Sequence, residues 1–124
     1  MDFVASDKAP KAIGPYSQAV RANGLLFTSG QVGLVPATGE LAEGGFEGQV
    51  RQTFQNLTAV LKEAGSGFDR VLKAQVFITD FANFQTLNTI YSEFFGDHKP
   101  ARTTVAVVGL PKNALVEIDL VALA

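Results

Sequence analysis

Phe46, Val50, Phe54, Leu57, Leu61 and Ala64 recur at intervals of three and four, the apolar stripe of one helix face. Gly65 follows as a C-terminal cap, and Gly65-Ser66-Gly67 makes a loop. Beyond it the period drops to two. Residues 71–79 alternate, with Leu72, Ala74, Val76 and Ile78 expected on one face of a half-buried strand. A switch between these two periods points to helices laid against a sheet.

The remaining elements fall in place around that switch. Residues 18–22 and 25–30 read as two strands. Asn23-Gly24 between them is the strongest short hairpin signal, because a type I′ turn needs positive φ at both central residues. Pro36-Ala37-Thr38-Gly39 reads as a second turn. Asp80 is placed to cap a second helix, whose apolar stripe is Phe84, Leu87, Tyr91 and Phe94; Gly96 ends it, and Pro100 keeps it from resuming. Two strands, 103–108 and 115–123, finish the chain. The order β-β-α-β-α-β-β predicts a two-layer α+β fold, a mixed sheet with two helices on one face, in one domain spanning 1–124. Val71, Phe77, Leu115, Val121 and Leu123 are expected on the other face. A lone chain rarely leaves such a surface wet, so copies of the chain are expected to pack there.

Composition narrows the chemistry. With no cysteine there are no disulfides, thiolate nucleophiles or cysteine metal sites. His98, the single histidine, sits in the polar run Gly96-Asp97-His98-Lys99-Pro100 and is expected to be exposed. A Ser-His-Asp triad would have to use it, no G-x-S-x-G elbow is present, and one histidine makes a poor transition-metal site. Gly44-Gly45 and Gly48 form no phosphate-binding fingerprint. A net charge of −2 with scattered Lys and Arg argues against a nucleic-acid partner. No apolar run is long enough for a membrane helix, and the N-terminus lacks a signal-peptide pattern, so the cytoplasm is the expected compartment.

Three places could carry chemistry. Glu117 and Asp119 lie two apart, hence on one strand face, between Leu115 and Val121. Such a pair is either a solvated edge or a carboxylate with a raised pKa serving as acid or base. Arg102, in Pro100-Ala101-Arg102-Thr103, is either a surface charge or a bidentate carboxylate clamp. Ser29-Gly30-Gln31 is either a bend or a close backbone approach to a ligand.

Several separate segments, in order, resemble one family. Residues 12–20, Ala-Ile-Gly-Pro-Tyr-Ser-Gln-Ala-Val, resemble the N-terminal signature of the RidA (YjgF) family of reactive intermediate deaminases. Ser29-Gly30-Gln31, residues 36–41, Asn56-Leu57, Val60-Leu61, Ala64-Gly65, Asn88 and residues 91–95 match its middle. Residues 100–103, Leu110-Pro111 and Val116-Glu117-Ile118 match its C-terminal signature. The resemblance implies a chorismate-mutase-like α+β fold and a homotrimer with clefts between subunits. It implies hydrolytic deamination of 2-enamine and 2-imine acids, such as 2-aminoacrylate and 2-iminopropionate, to 2-keto acids and ammonia. Neither metal nor organic cofactor is implied, and the partner is a small carboxylate-bearing substrate. Carried over by motif, Arg102 clamps the carboxylate, Glu117 orients or activates water, and Tyr16, Ser29 and Gly30 line the pocket. Thr104 is a departure, since many members have cysteine two residues after the motif arginine. Two other classes stay open at this level: a binding or chaperone-like module without turnover, and an RNA-cleaving translation inhibitor.

Overall fold

A computed structural model describes residues 1–124. Its elements are β1 (Asp2–Val4), β2 (Ala19–Ala22), β3 (Leu25–Thr28), β4 (Gln31–Val32), α1 (Gly45–Glu63), β5 (Val71–Ile78), α2 (Phe84–Phe95), β6 (Ala101–Ala106) and β7 (Val116–Leu123). All strands join one sheet in the order β1-β2-β3-β7-β5-β6, with β4 pairing β7. The β5–β6 pair is parallel and the others are antiparallel, so the sheet is mixed, as expected. The sequence order gains two short strands, β1 and β4.

The local signals work as their chemistry requires. Asn23 and Gly24 have φ of 53° and 77°, the left-handed pair of a hairpin turn joining β2 to β3. At the end of α1, Gly65 has φ of 77°; its N–H donates to Lys62 O, and Ser66 N–H donates to Leu61 O. That is a Schellman closure, which satisfies carbonyls the helix leaves open. Asp80 does cap, but it caps a single 3-10 turn, Phe81–Asn83, that leads into α2; its carboxylate accepts from Ala82 N–H.

Both helices press on one sheet face. Phe54, Leu57, Leu61, Leu87 and Ile90 share a core with Ala74, Val76, Ile78, Val116, Ile118 and Leu120. Phe54 is fully buried and stacks on Phe94 at 4.7 Å, with the Phe68, Tyr91 and Phe95 rings around it. The opposite face carries Phe3, Phe27, Val105 and Leu123 in exposed positions.

Two expectations about that face are corrected. Val71 is fully buried in the helix-side core and Leu72 is exposed. The cause is a register shift between β5 and β7: Val71 pairs with Ala122 but Lys73 with Val121, so Leu72 is an extra residue that swaps the faces. Leu115 precedes β7 and packs against the helix-side core instead of joining the outer face.

The Phe54 ring cluster ties both helices to each other. Phe54→Ala should lower unfolding free energy by about 3–5 kcal/mol, measured by chemical denaturation; a loss below ~1 kcal/mol would contradict its place as the hub of the core.

Candidate active site

Glu117 gets its position from β7. Alternate residues Val116, Ile118 and Leu120 are buried under the helices, so Glu117 and Asp119 emerge on the other face. The backbone of Gly30 comes so close that a Cβ built there would lie 2.7 Å from Glu117 Cδ. Any side chain at residue 30 would displace the carboxylate, which explains the glycine. β4 follows directly and is held from below: buried Asn56 on α1 donates from Nδ2 to Val32 O and Leu34 O, at 3.1 and 2.9 Å.

Tyr16 arrives on the long segment between β1 and β2. Buried Gln18 fastens that segment, accepting from Ser6 N–H at 2.7 Å and donating to Pro10 O at 2.9 Å. The Ser29 hydroxyl donates to Ser17 O, and Ser29 N–H donates to Gln18 O. The result is a small recess of about 40 Å³ where Tyr16, Gly30, Gln31, Pro111 and Glu117 meet. Ser29 is not part of its lining; its hydroxyl pins the Tyr16 segment instead.

Arg102 stands elsewhere. It pairs with Ala74 on β5, a helix-facing position, whereas Glu117 pairs with Phe77 on the opposite face. On edge strand β6 its guanidinium donates from Nη1 to Asn88 Oδ1 at 2.8 Å. It lies over the Tyr91 ring at 4.9 Å and the Phe84 ring at 5.6 Å, within cation–π range of both. A second recess of about 240 Å³ opens beside it, lined by Asn88, Tyr91, Ser92, His98, Lys99 and others. No ion pair engages Arg102. Within one chain, then, Arg102 and Glu117 do not face each other: each lines a recess of its own.

His98 is also corrected. It is half-buried, with Nε2 2.7 Å from Val71 O, so it ties the loop before β6 to the start of β5. Since a carbonyl only accepts, that bond places a proton on Nε2.

The two acids are electrostatically primed. Burial pushes the Glu117 carboxyl above its ordinary range, and neighbouring Asp119 raises it further by repulsion. Burial likewise raises Asp119. Tyr91 is raised by burial against the opposing pull of Arg102. Sequence reasoning attached no role to Phe84 or Tyr91 and placed Asn88 only by its motif. Their part emerges once α2 is laid over β6; the available signal was the spacing of 84, 88 and 91 on one helix face.

A raised carboxyl releases its proton from the unfolded chain first as pH climbs. Stability is therefore lost as pH climbs from the ordinary glutamate range through the folded value, and the full penalty of a charged Glu117 persists above it. Glu117→Gln should raise the melting temperature at pH 7 and leave it unchanged near pH 3. A variant equally stabilised or destabilised at both would refute the burial effect.

Comparison with known proteins places the chain. The family model for Endoribonuclease L-PSP matches residues 6–124. A RutC family protein of Aquifex aeolicus is 51% identical over 124 residues, covering 98% of each chain. A human protein named 2-iminobutanoate/2-iminopropanoate deaminase is 41% identical over 120 residues, covering 97% of this chain and 88% of its own. The crystal structure of RidA from an Antarctic Psychrobacter superposes with a TM-score of 0.96 at 39% identity, covering 100% of both chains. With the fold, the Glu117–Gly30 contact and the Arg102 cradle all in place, the chain belongs to the Endoribonuclease L-PSP family, the RidA (YjgF) proteins.

Proposed function

We propose that this protein hydrolyses 2-imino acids, and their enamine tautomers, to 2-keto acids and ammonia. The observation that carries the reading is Arg102: a guanidinium cradled by Asn88, Phe84 and Tyr91, with no carboxylate of its own chain to neutralise it. A planar cation held that way suits a substrate carboxylate bound by two parallel hydrogen bonds. The name of the human relative supports the choice of imine.

The chemistry needs few parts. Water bonds to C2 of the protonated imine and gives up a proton as the C=N π pair moves to nitrogen; that proton is returned to the amine, and as the hydroxyl loses its own proton the C=O forms and the C–N bond pair leaves with ammonia. Glu117, its pKa raised, is suited to take a proton from that water; a positioned base of this kind contributes roughly 10²–10⁴-fold. Gly30 and Tyr16 shape the space around it, with Ser29 fixing the Tyr16 segment. The proposal requires no metal and no organic cofactor.

In this account a complete cleft takes two copies of the chain. One supplies Arg102 from the edge of its sheet, and the next supplies Glu117, Gly30 and Tyr16. Supporting this are the unpaired edge of β6, the apolar outer face and the separation of the two half-sites within one chain. Repeating one head-to-tail interface generates a ring where the rotation closes, and the assembly proposed is a ring of three, a homotrimer. No helix is long and apolar enough to cross a membrane; a cytoplasmic site of action is part of the proposal, chosen to suit small imine acids as substrate. The net charge of −2 gives an RNA backbone no basic track, so RNA cleavage is the weaker reading of the family description.

Arg102→Ala should cut kcat/KM for 2-iminopropionate by about 10²-fold or more. The assay couples an amino-acid oxidase to semicarbazide trapping and reads the imine that escapes hydrolysis. Wild-type activity in the variant would remove Arg102 from the mechanism.

A further inference from the structure

β6 is an edge strand held by a single partner, β5, and the direction of Arg102 depends on that pairing. A slip of one residue would turn Arg102 from the helix side to the outer face. The ladder begins at the pair Lys73–Ala101. Pro100, the residue before it, has no N–H with which to carry the ladder further. The end of β6 nearest Arg102 therefore needs another tie.

His98 supplies it from a side chain. Its Nε2–H donates to Val71 O at 2.7 Å, on β5 ahead of the first ladder pair. Its backbone N–H donates to Phe95 O at 3.2 Å, at the end of α2. One half-buried residue thus joins α2, β5 and the entry to β6. Packed rings continue the link toward the guanidinium. The Phe95 ring lies 6.4 Å from the imidazole and stacks on Tyr91 at 4.4 Å, and Tyr91 lies 4.9 Å from the Arg102 guanidinium carbon. His98 and Arg102 line the same recess but share no hydrogen bond. Asn88 on α2 steers the tip of the guanidinium, whereas the tie to β5 sets where the strand that carries it lies.

We infer that His98 is a positioning residue: by fastening Val71 O it holds β6 in register and so aims Arg102 at the substrate carboxylate. This rests on the reading of Arg102 as the carboxylate clamp and adds what keeps the clamp in place. His98 touches no substrate atom and moves no proton in the reaction. A carboxylate is gripped in the ground state and the transition state alike, so loosening the grip raises KM and leaves kcat nearly unchanged.

His98→Leu keeps the bulk and removes the donor, whereas His98→Gln returns an N–H near the place of Nε2. In the leucine variant, KM for 2-iminopropionate and the dissociation constant of propanoate, read by calorimetry, should both rise about tenfold, with kcat within about threefold of wild type. The glutamine variant should keep both constants within about threefold of wild type. His98→Asn, whose amide falls short of Val71 O, should match the leucine variant and takes its place if leucine does not fold. Simple loss of folded protein would lower kcat and leave KM and propanoate binding as they were; that result overturns the assignment. Unchanged constants in His98→Leu, or an equal rise in His98→Gln, overturn it as well. Propanoate binding needs no turnover. A wild-type protein that binds propanoate without hydrolysing the imine overturns the imine reading alone, and His98 is then judged on propanoate. A wild-type protein that binds no propanoate overturns the clamp and this assignment together.

Discussion

The pleat of β7 governs where chemistry can sit. This strand is paired on one side by β3 and β4 and on the other by β5, so every second residue must face the helices or the bare sheet surface. Burying Val116, Ile118 and Leu120 compels Glu117 and Asp119 to emerge together on the side the helices leave open. There burial raises both carboxyls, and the neighbouring Asp119 raises Glu117 further. Gly30 completes the arrangement by having no side chain to contest the space. The catalytic candidate is in this sense a by-product of core packing, made useful by one glycine.

Arg102 obeys the same alternation on another strand with the opposite result. Its register with Ala74 sends it to the helix side, where Asn88, Phe84 and Tyr91 of α2 fix its guanidinium. Preorganising a cation this way removes part of the entropy cost of clamping a carboxylate. It also leaves one chain with a cradled cation and an acid on different faces of its sheet. In the proposed cleft a second copy joins them, and the apolar outer face with its unpaired β6 edge supplies a physical reason for one to bind.

The sequence was most legible where structure is decided locally. The Asn23-Gly24 turn, the Gly65 cap and the stripe from Phe46 to Ala64 all read correctly because backbone sterics and helical period act within a few residues. β1 and β4 escaped notice because three and two residues carry no period; their existence depends on partners far along the chain. The bulge at Leu72 was hidden for a related reason. An alternating pattern does not announce an extra residue, so Val71 was assigned outward when it is buried. His98 looked like a loop residue until Val71 O came within 2.7 Å of it. Of the site, the family motifs named Arg102, Glu117, Tyr16, Ser29 and Gly30. They did not reveal that Arg102 and Glu117 occupy opposite faces, or that Ser29 acts by holding the Tyr16 segment.

The central claim is that catalysis joins Arg102 of one copy to Glu117 of another. The direct measurement mixes two inactive chains, Arg102→Ala and Glu117→Gln, after co-denaturation and refolding in equal amounts. If each cleft draws its halves from different copies, random assembly recreates intact clefts and recovers about a quarter of wild-type imine hydrolysis. Activity no greater than that of the separate variants would contradict the account.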